Sequence, residues 1–122
     1  KLMLPHIPDK KYAYLLARSY YMELIRSGVS IYEYTPGFVH SKAFVSDGTK
    51  GVVGSINLDY RSLFLHFECA CYFYKNPVVE QIEQDMQETL KKCVEITLND
   101  CLKYNIFNQL AGRILRLFAP LM

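Results

Sequence analysis

The chain has 122 residues, contains no tryptophan, carries a net charge of only +2, and has no apolar stretch long enough to cross a bilayer. Each absence excludes something. A charge this small supplies no polybasic surface for bulk nucleic-acid binding, so nucleic acid is not expected as a partner. The longest apolar-looking segment, residues 63–74, is interrupted by His66 and Glu68; it is too short and too charged to span a membrane. The opening Lys1-Leu2-Met3-Leu4-Pro5 lacks the pattern of a signal peptide and an initiator Met, and reads as a strand in a fragment of a longer protein. Cys69, Cys71, Cys93 and Cys101 lack the C-x-x-C spacing of a zinc site. They read as reduced, buried thiols of a cytosolic compartment. No metal and no cofactor are expected. There is no internal repeat, linker or low-complexity run.

What is present suits a folded core. Hydrophobic residues make up 51% of the chain and aromatic ones 14%, with ten tyrosines, which favours a sheet-rich interior with polar-tipped edges. The length fits one domain over residues 1–122. Residues 1–4 read as a strand closed by Pro5 and Pro8. Asp9 is placed to cap a helix running to about Ser27, with Ala13, Leu16, Ala17, Tyr20 and Leu24 as its buried stripe and Gly28 as its stop. Residues 29–34 form a strand, Pro36-Gly37 a turn, and residues 38–46 the next strand. Asp47-Gly48 is a hairpin signal, with residues 51–56 returning. Residues 63–74 read as one long strand: odd positions from Leu63 to Phe73 are apolar, and even positions carry His66 and Glu68. Asn76-Pro77 starts a helix that buries Val79, Ile82, Met86, Leu90 and Cys93. A short helix over 98–104 follows. An amphipathic helix at about 105–118 then gathers Phe107, Leu110, Ala111, Ile114, Leu117, Phe118 and Leu121 on one side, a face suited to packing on the domain, the more common outcome, or to lying in a lipid interface. Strand, helix, strand, then strands before helices indicate a mixed α/β sandwich.

The densest chemistry lies in eighteen residues, where His40, Lys42, Asp47, Gly54, Ser55 and Asn57 give the spacing H-x-K-x4-D-x6-G-S-x-N. On one predicted strand, His40 and Lys42 are two apart and share a face. An imidazole can attack phosphorus or move a proton, while a Lys and an Asn hold phosphate oxygens as charge develops. An apolar core would not tolerate that Lys unpaired. Asp47 also reads simply as a turn-former, and Lys42 as a solvated strand-edge residue.

This spacing resembles the signature of the phospholipase D superfamily. The wider text, Phe38-Val39-His40-Ser41-Lys42 through Asn57-Leu58-Asp59-Tyr60-Arg61-Ser62, is similar to the carboxy-terminal half of bacterial cardiolipin synthases. The resemblance implies a phospholipase D-like α/β fold with a mixed sheet flanked by helices, forming one half of a two-motif active site. It implies phosphatidyl transfer, in which two phosphatidylglycerols yield cardiolipin and glycerol through a phosphohistidine. His40 would be one of two active-site histidines, Lys42 the phosphate clamp, and Asp47 a supporting residue. Asn57 would make the oxyanion contact, with Ser55 at the phosphate or orienting a neighbour. Glu68 would hydrogen-bond His40. Asp59 and Arg61 suit a structural salt bridge equally well, His66 reads as structural, and His6 as surface. The partners implied are phosphatidylglycerol, a second phospholipase D-like half from the same chain or a second copy, and a membrane surface. The full-length protein would sit at the bacterial cytoplasmic membrane. The rival readings are a homodimeric phosphodiesterase or endonuclease of the same superfamily, and a non-catalytic supporting half.

Overall fold

The computed structural model describes residues 1–121. In chain order the elements are β1 (Leu2–Pro5), α1 (Lys11–Arg26), β2 (Ile31–Tyr34), β3 (Lys42–Ser46) and β4 (Lys50–Gly54), then a single π-turn (Arg61–Leu65). Next come β5 (Ala70–Tyr74), α2 (Val78–Leu90), β6 (Cys93–Ile96), α3 (Leu98–Lys103), α4 (Ile106–Arg116) and a 3-10 turn (Ala119–Leu121). The fold is mixed α/β, with two small sheets flanked by helices. The chain divides into two compact units, one from residues 1–39 and 92–120, the other essentially residues 40–91.

In the first unit β2 is the central strand, parallel to β1 and antiparallel to β6. Tyr21, Ile31 and Ile96 form its buried core, with Leu4, Ala17, Leu24 and Ile25 packed around them. The buried face of α1 therefore differs from the expected stripe: Ala13 is exposed and Tyr21 is almost fully buried. The cause is two-sided packing. One face of α1 meets the sheet, and another meets α4 at Gly112, where a Cβ would lie 2.7 Å from the Leu15 carbonyl oxygen. A helix covered on two sides has no single stripe to read. Its start also shifts, since Lys10 rather than Asp9 is the N-cap residue and supplies no side-chain cap.

Glu33 points into this unit from β2 and is completely buried. His6 Nδ1 lies 2.7 Å from its carboxylate, the Tyr21 hydroxyl donates at 3.1 Å, and Tyr14 donates more weakly at 3.4 Å. Arg18 Nε stands 3.5 Å away, its guanidinium over the ring of Tyr104. A buried carboxylate is tolerable only when paired and hydrogen-bonded in this way. His6, expected at the surface, is half exposed and tied to this group. Burial first, and the Glu33 charge second, push the Tyr21 and Tyr14 hydroxyls above their ordinary pKa.

The second unit is an antiparallel meander, β3-β4-β5, covered by α2. Val79, Ile82, Met86 and Leu90 form the covered face of α2, and Val79 is buried. The Asn76 side chain accepts from the Val78 N–H at 3.0 Å, satisfying an early amide of the helix. Cys93 does not belong to this helix: it opens β6, which pairs with β2. Cys69 and Cys71 are exposed rather than buried, and all four cysteines are free thiols.

Two expected strands are shorter than the sequence suggests. Residues 38–41 precede β3 outside the ladder. Residues 63–74 do not form one strand: Asp59 Oδ1 accepts from the Ser62 N–H at 2.7 Å and opens the π-turn, which the His66 N–H closes onto the Arg61 carbonyl. Only residues 70–74 pair. Leu63, Leu65 and Phe67 are consequently exposed rather than aligned on a core face.

Candidate active site

Strand register assembles the site. In the second unit Lys42 pairs with Gly54, and Gly54 with Ala70. The first residue of β3, the last of β4 and the first of β5 thus lie side by side. Residues just outside those strand ends, His40 before β3, Ser55 and Asn57 after β4, and Glu68 before β5, gather at one end of the sheet. Gly54 is needed there. A Cβ at this position would overlap the Cys69 carbonyl oxygen and stand 2.5 Å from the Ala70 Cβ. Its absence lets β5 close against β4 directly beneath the site.

Lys42 Nζ lies 2.9 Å from both His40 Nε2 and the His40 carbonyl oxygen. An ammonium only donates, so Nε2 is the acceptor and the ring proton of the neutral imidazole sits on Nδ1. The same-face strand geometry expected for this pair is replaced by a direct bond, because His40 precedes the ladder.

Glu68 is largely covered, with 15% of its side chain exposed. The Ser55 hydroxyl donates to it, and the same oxygen accepts from the Cys69 N–H at 3.1 Å. The Ser62 hydroxyl lies near enough to favour the ionised carboxylate, and His66 Nδ1 stands 3.9 Å away. The Ser55 hydrogen bond first, then the Ser62 hydroxyl and the nearby Lys42 charge, hold the Glu68 carboxyl below its ordinary value. The carboxylate is therefore an anion lying in the field of Lys42. Its hydrogen bond comes from Ser55, where the resemblance implied His40. Ser55 thus serves to orient Glu68.

Asn57 Nδ2 donates to Ser62 Oγ at 3.3 Å. Ser62 is almost fully buried and lies close to Glu68, whose ionised form it favours. Sequence reading missed this residue; its signal was the Asp59-x-x-Ser62 spacing of an N-terminal cap. Asp59 serves that cap and Arg61 Nε bonds His66 Nε2, in place of a salt bridge between the two. Asp47 lies at the other end of β3. Its carboxylate accepts from Ser46 and Lys50, which hold its carboxyl below the ordinary range. Among the described residues, no group of three or more His, Cys, Asp or Glu side chains is arranged to hold a metal ion. No described helix is long and apolar enough to cross a membrane.

Residues 1–90 match the family described as cardiolipin synthase, PLD-like domain. The chain belongs to this phospholipase D-like family. It is 48% identical over its whole length to an uncharacterized protein of Streptococcus mutans serotype c, covering 26% of that protein. It is 38% identical to a cardiolipin synthase of Clostridium perfringens strain SM101 and 34% identical to cardiolipin synthase 2 of Bacillus anthracis, covering 26% and 24% of their lengths. The chain thus spans about a quarter of these relatives. No solved structure matches it. Within the phospholipase D-like domain, the end of the sheet described above collects an imidazole, an ammonium, an amide and a buffered carboxylate. In that set the ammonium and the amide are donors suited to phosphate oxygens, and the imidazole is a group that can attack or move a proton.

Proposed function

We propose that this chain is the carboxy-terminal phospholipase D-like half of a bacterial cardiolipin synthase, acting at the cytoplasmic membrane on phosphatidylglycerol. The observation that carries the reading is the His40–Lys42 contact at 2.9 Å beside the anionic Glu68. Lys42 occupies the lone pair of His40 Nε2 in the resting site. An arriving phosphodiester offers Lys42 better acceptors, so the ammonium moves to phosphate oxygen and Nε2 becomes available. Asn57 adds a neutral donor to the same oxygens, while Asp47 supports the hairpin that carries Lys42.

Two imidazoles share the reaction. One attacks phosphorus, and the bond to the leaving glycerol oxygen breaks as the other imidazole protonates it. The resulting phosphatidyl-histidine is attacked by a hydroxyl of a second phosphatidylglycerol, whose proton returns to the second imidazole. Cardiolipin and glycerol leave, and both rings are restored. The second His–Lys set comes from another phospholipase D-like half, in the same full-length chain or in a second copy. Glu68 steadies the positive charge that develops on the histidine side of the site.

The test uses the full-length enzyme in phosphatidylglycerol vesicles. His40→Ala is expected to abolish cardiolipin formation. Lys42→Ala is expected to cost about 3–4 kcal/mol of transition-state stabilisation, or roughly a hundred- to a thousandfold in rate. Near-normal turnover by Lys42→Ala would overturn the clamp assignment. Cleavage of DNA in place of lipid transfer would favour the phosphodiesterase reading.

A further inference from the structure

Helix α4 leaves an apolar face outward. Ile106, Phe107, Leu110, Ile114, Leu117 and Phe118 are each at least half exposed, with Phe107 and Leu117 both at 78%. Positions 107, 110 and 114 follow the i, i+3, i+7 spacing of one helix face. The opposite face is committed: Gly112 seats on α1, and Arg116 bonds Ser19 and Glu23 while its guanidinium covers the ring of Tyr20. The orientation of α4 is thus set by polar and close-packed contacts, and the apolar stripe faces away from its own unit.

Charge beside that stripe has one sign. Residues 101–122 contain Lys103, Arg113 and Arg116 and no acidic residue. Arg113 is exposed one residue before Ile114, on the flank of the stripe. The cleft between α1 and α4, about 180 Å³, is lined by four arginines; Arg116 is paired with Glu23 and Arg18 with Glu33, while no ion pair holds Arg26 or Arg113 among the described residues. A helix of eleven residues is only ~16 Å long, far short of a bilayer. Such a helix lies in the interface plane, its apolar face among acyl chains and its arginines among anionic headgroups.

We infer that α4 is an interfacial helix that docks this unit on an anionic lipid surface. The inference goes beyond the proposed transfer reaction and stands without it, since α4 lies outside residues 1–90 that carry the family match.

Because the chain contains no tryptophan, one introduced Trp reports a single position. Phe107→Trp on the exposed stripe is compared with Tyr12→Trp on the exposed start of α1, each checked for native helical circular dichroism. Vesicles of phosphatidylcholine with or without phosphatidylglycerol are added. The Phe107→Trp emission is expected to shift to the blue with phosphatidylglycerol vesicles and to be quenched by brominated acyl chains, while Tyr12→Trp stays unchanged. One cation near an anionic surface strengthens binding about fivefold, so Arg113→Glu is expected to weaken it about thirtyfold. The inference fails if neither probe responds, if both respond alike, or if Phe107→Trp is already blue-shifted in a concentration-dependent way without lipid. That last result would assign the face to a second copy of the chain. Binding in a protein whose His40→Ala variant keeps full transfer activity would sustain this inference while sinking the proposed function.

Discussion

Removing the buried carboxylate of Glu33 should cost the first unit most of its stability. Glu33→Ala takes away the acceptor for His6 Nδ1 at 2.7 Å and for the Tyr21 hydroxyl at 3.1 Å, and the counter-charge of Arg18 at 3.5 Å. Tyr21 is 2% exposed, so its hydroxyl cannot turn to water; an orphaned buried donor costs about 1–3 kcal/mol. Arg18 keeps its place over Tyr104 but is left 18% exposed without its acid. Breaking a buried pair on one side costs about 3–5 kcal/mol. These terms overlap, because each counts the same lost acceptor, so about 4 kcal/mol is expected for the whole change. With a urea slope near 2 kcal/mol per molar, the unfolding midpoint should fall by about 2 M. Tyr21→Phe removes one donor and keeps the ring; it should cost only about 1 kcal/mol. Urea titration followed by circular dichroism measures both. A Glu33→Ala variant within about 1 kcal/mol of the parent chain would refute the reasoning, because the cluster would then be contributing no more than an exposed pair does.

Three further outcomes follow from the same contacts. Glu68→Gln should leave the thermal midpoint nearly unchanged and slow phosphatidyl transfer about a hundredfold in the full-length enzyme; an unaltered rate would make Glu68 a structural residue. Gly54→Ala should destabilise the second unit by about 3 kcal/mol, since the clashing atoms are the Cys69 carbonyl oxygen and the Cα and Cβ of Ala70, none of which can swing aside; a native-like melting curve would show that β4 and β5 can part without penalty. The Tyr14 and Tyr21 hydroxyls titrate above their ordinary 10.0 in the folded chain, so their contribution is complete below pH 10 and is lost as pH rises from there through the folded values. Alkaline unfolding should therefore begin above pH 10, and an unchanged alkaline limb in the Tyr14→Phe, Tyr21→Phe double variant would contradict that origin.

Local signals were legible where one principle acted alone. Asp47 and Gly48 both take positive φ, 56° and 60°, as the predicted hairpin turn requires. The covered stripe of α2 runs as its spacing indicated, and α4 opens where Asn105 accepts from the Phe107 N–H. Reading failed where tertiary pairing outweighed local pattern. Cys93 continued the apolar period of α2, yet β2 had an unpaired edge and drew residues 93–96 into β6. Residues 63–67 alternate like a strand, but the Asp59 cap captured the Ser62 amide and wound the segment into a turn. Nothing in the pattern of the strand at residues 29–34 singled out Glu33. Only the assembled sheet, with α1 above it, turned that position into the most buried acid among the described residues. The site fared differently, because its residues were named from spacing while their bonds depend on register. No spacing rule could show that Ser62 stands between Asn57 and Glu68.

The three histidines also limit how the chemistry can be divided. His6 is in the first unit, with Nδ1 committed to Glu33. His66 lies close to Glu68, which makes it the obvious rival for a second catalytic imidazole. Its two nitrogens argue otherwise: Nε2 accepts from Arg61, and Nδ1 faces the Glu68 carboxylate at 3.9 Å. Neither is left to meet a phosphate or a leaving alcohol without first giving up a charged partner. His40 differs, because the group on its Nε2 is Lys42, an ammonium that a phosphodiester would itself attract. The imidazole most easily uncovered by substrate is the one whose partner the substrate binds. By that criterion His40 is the imidazole on which the proposed transfer rests, and that proposal takes its other ring from a second His–Lys set.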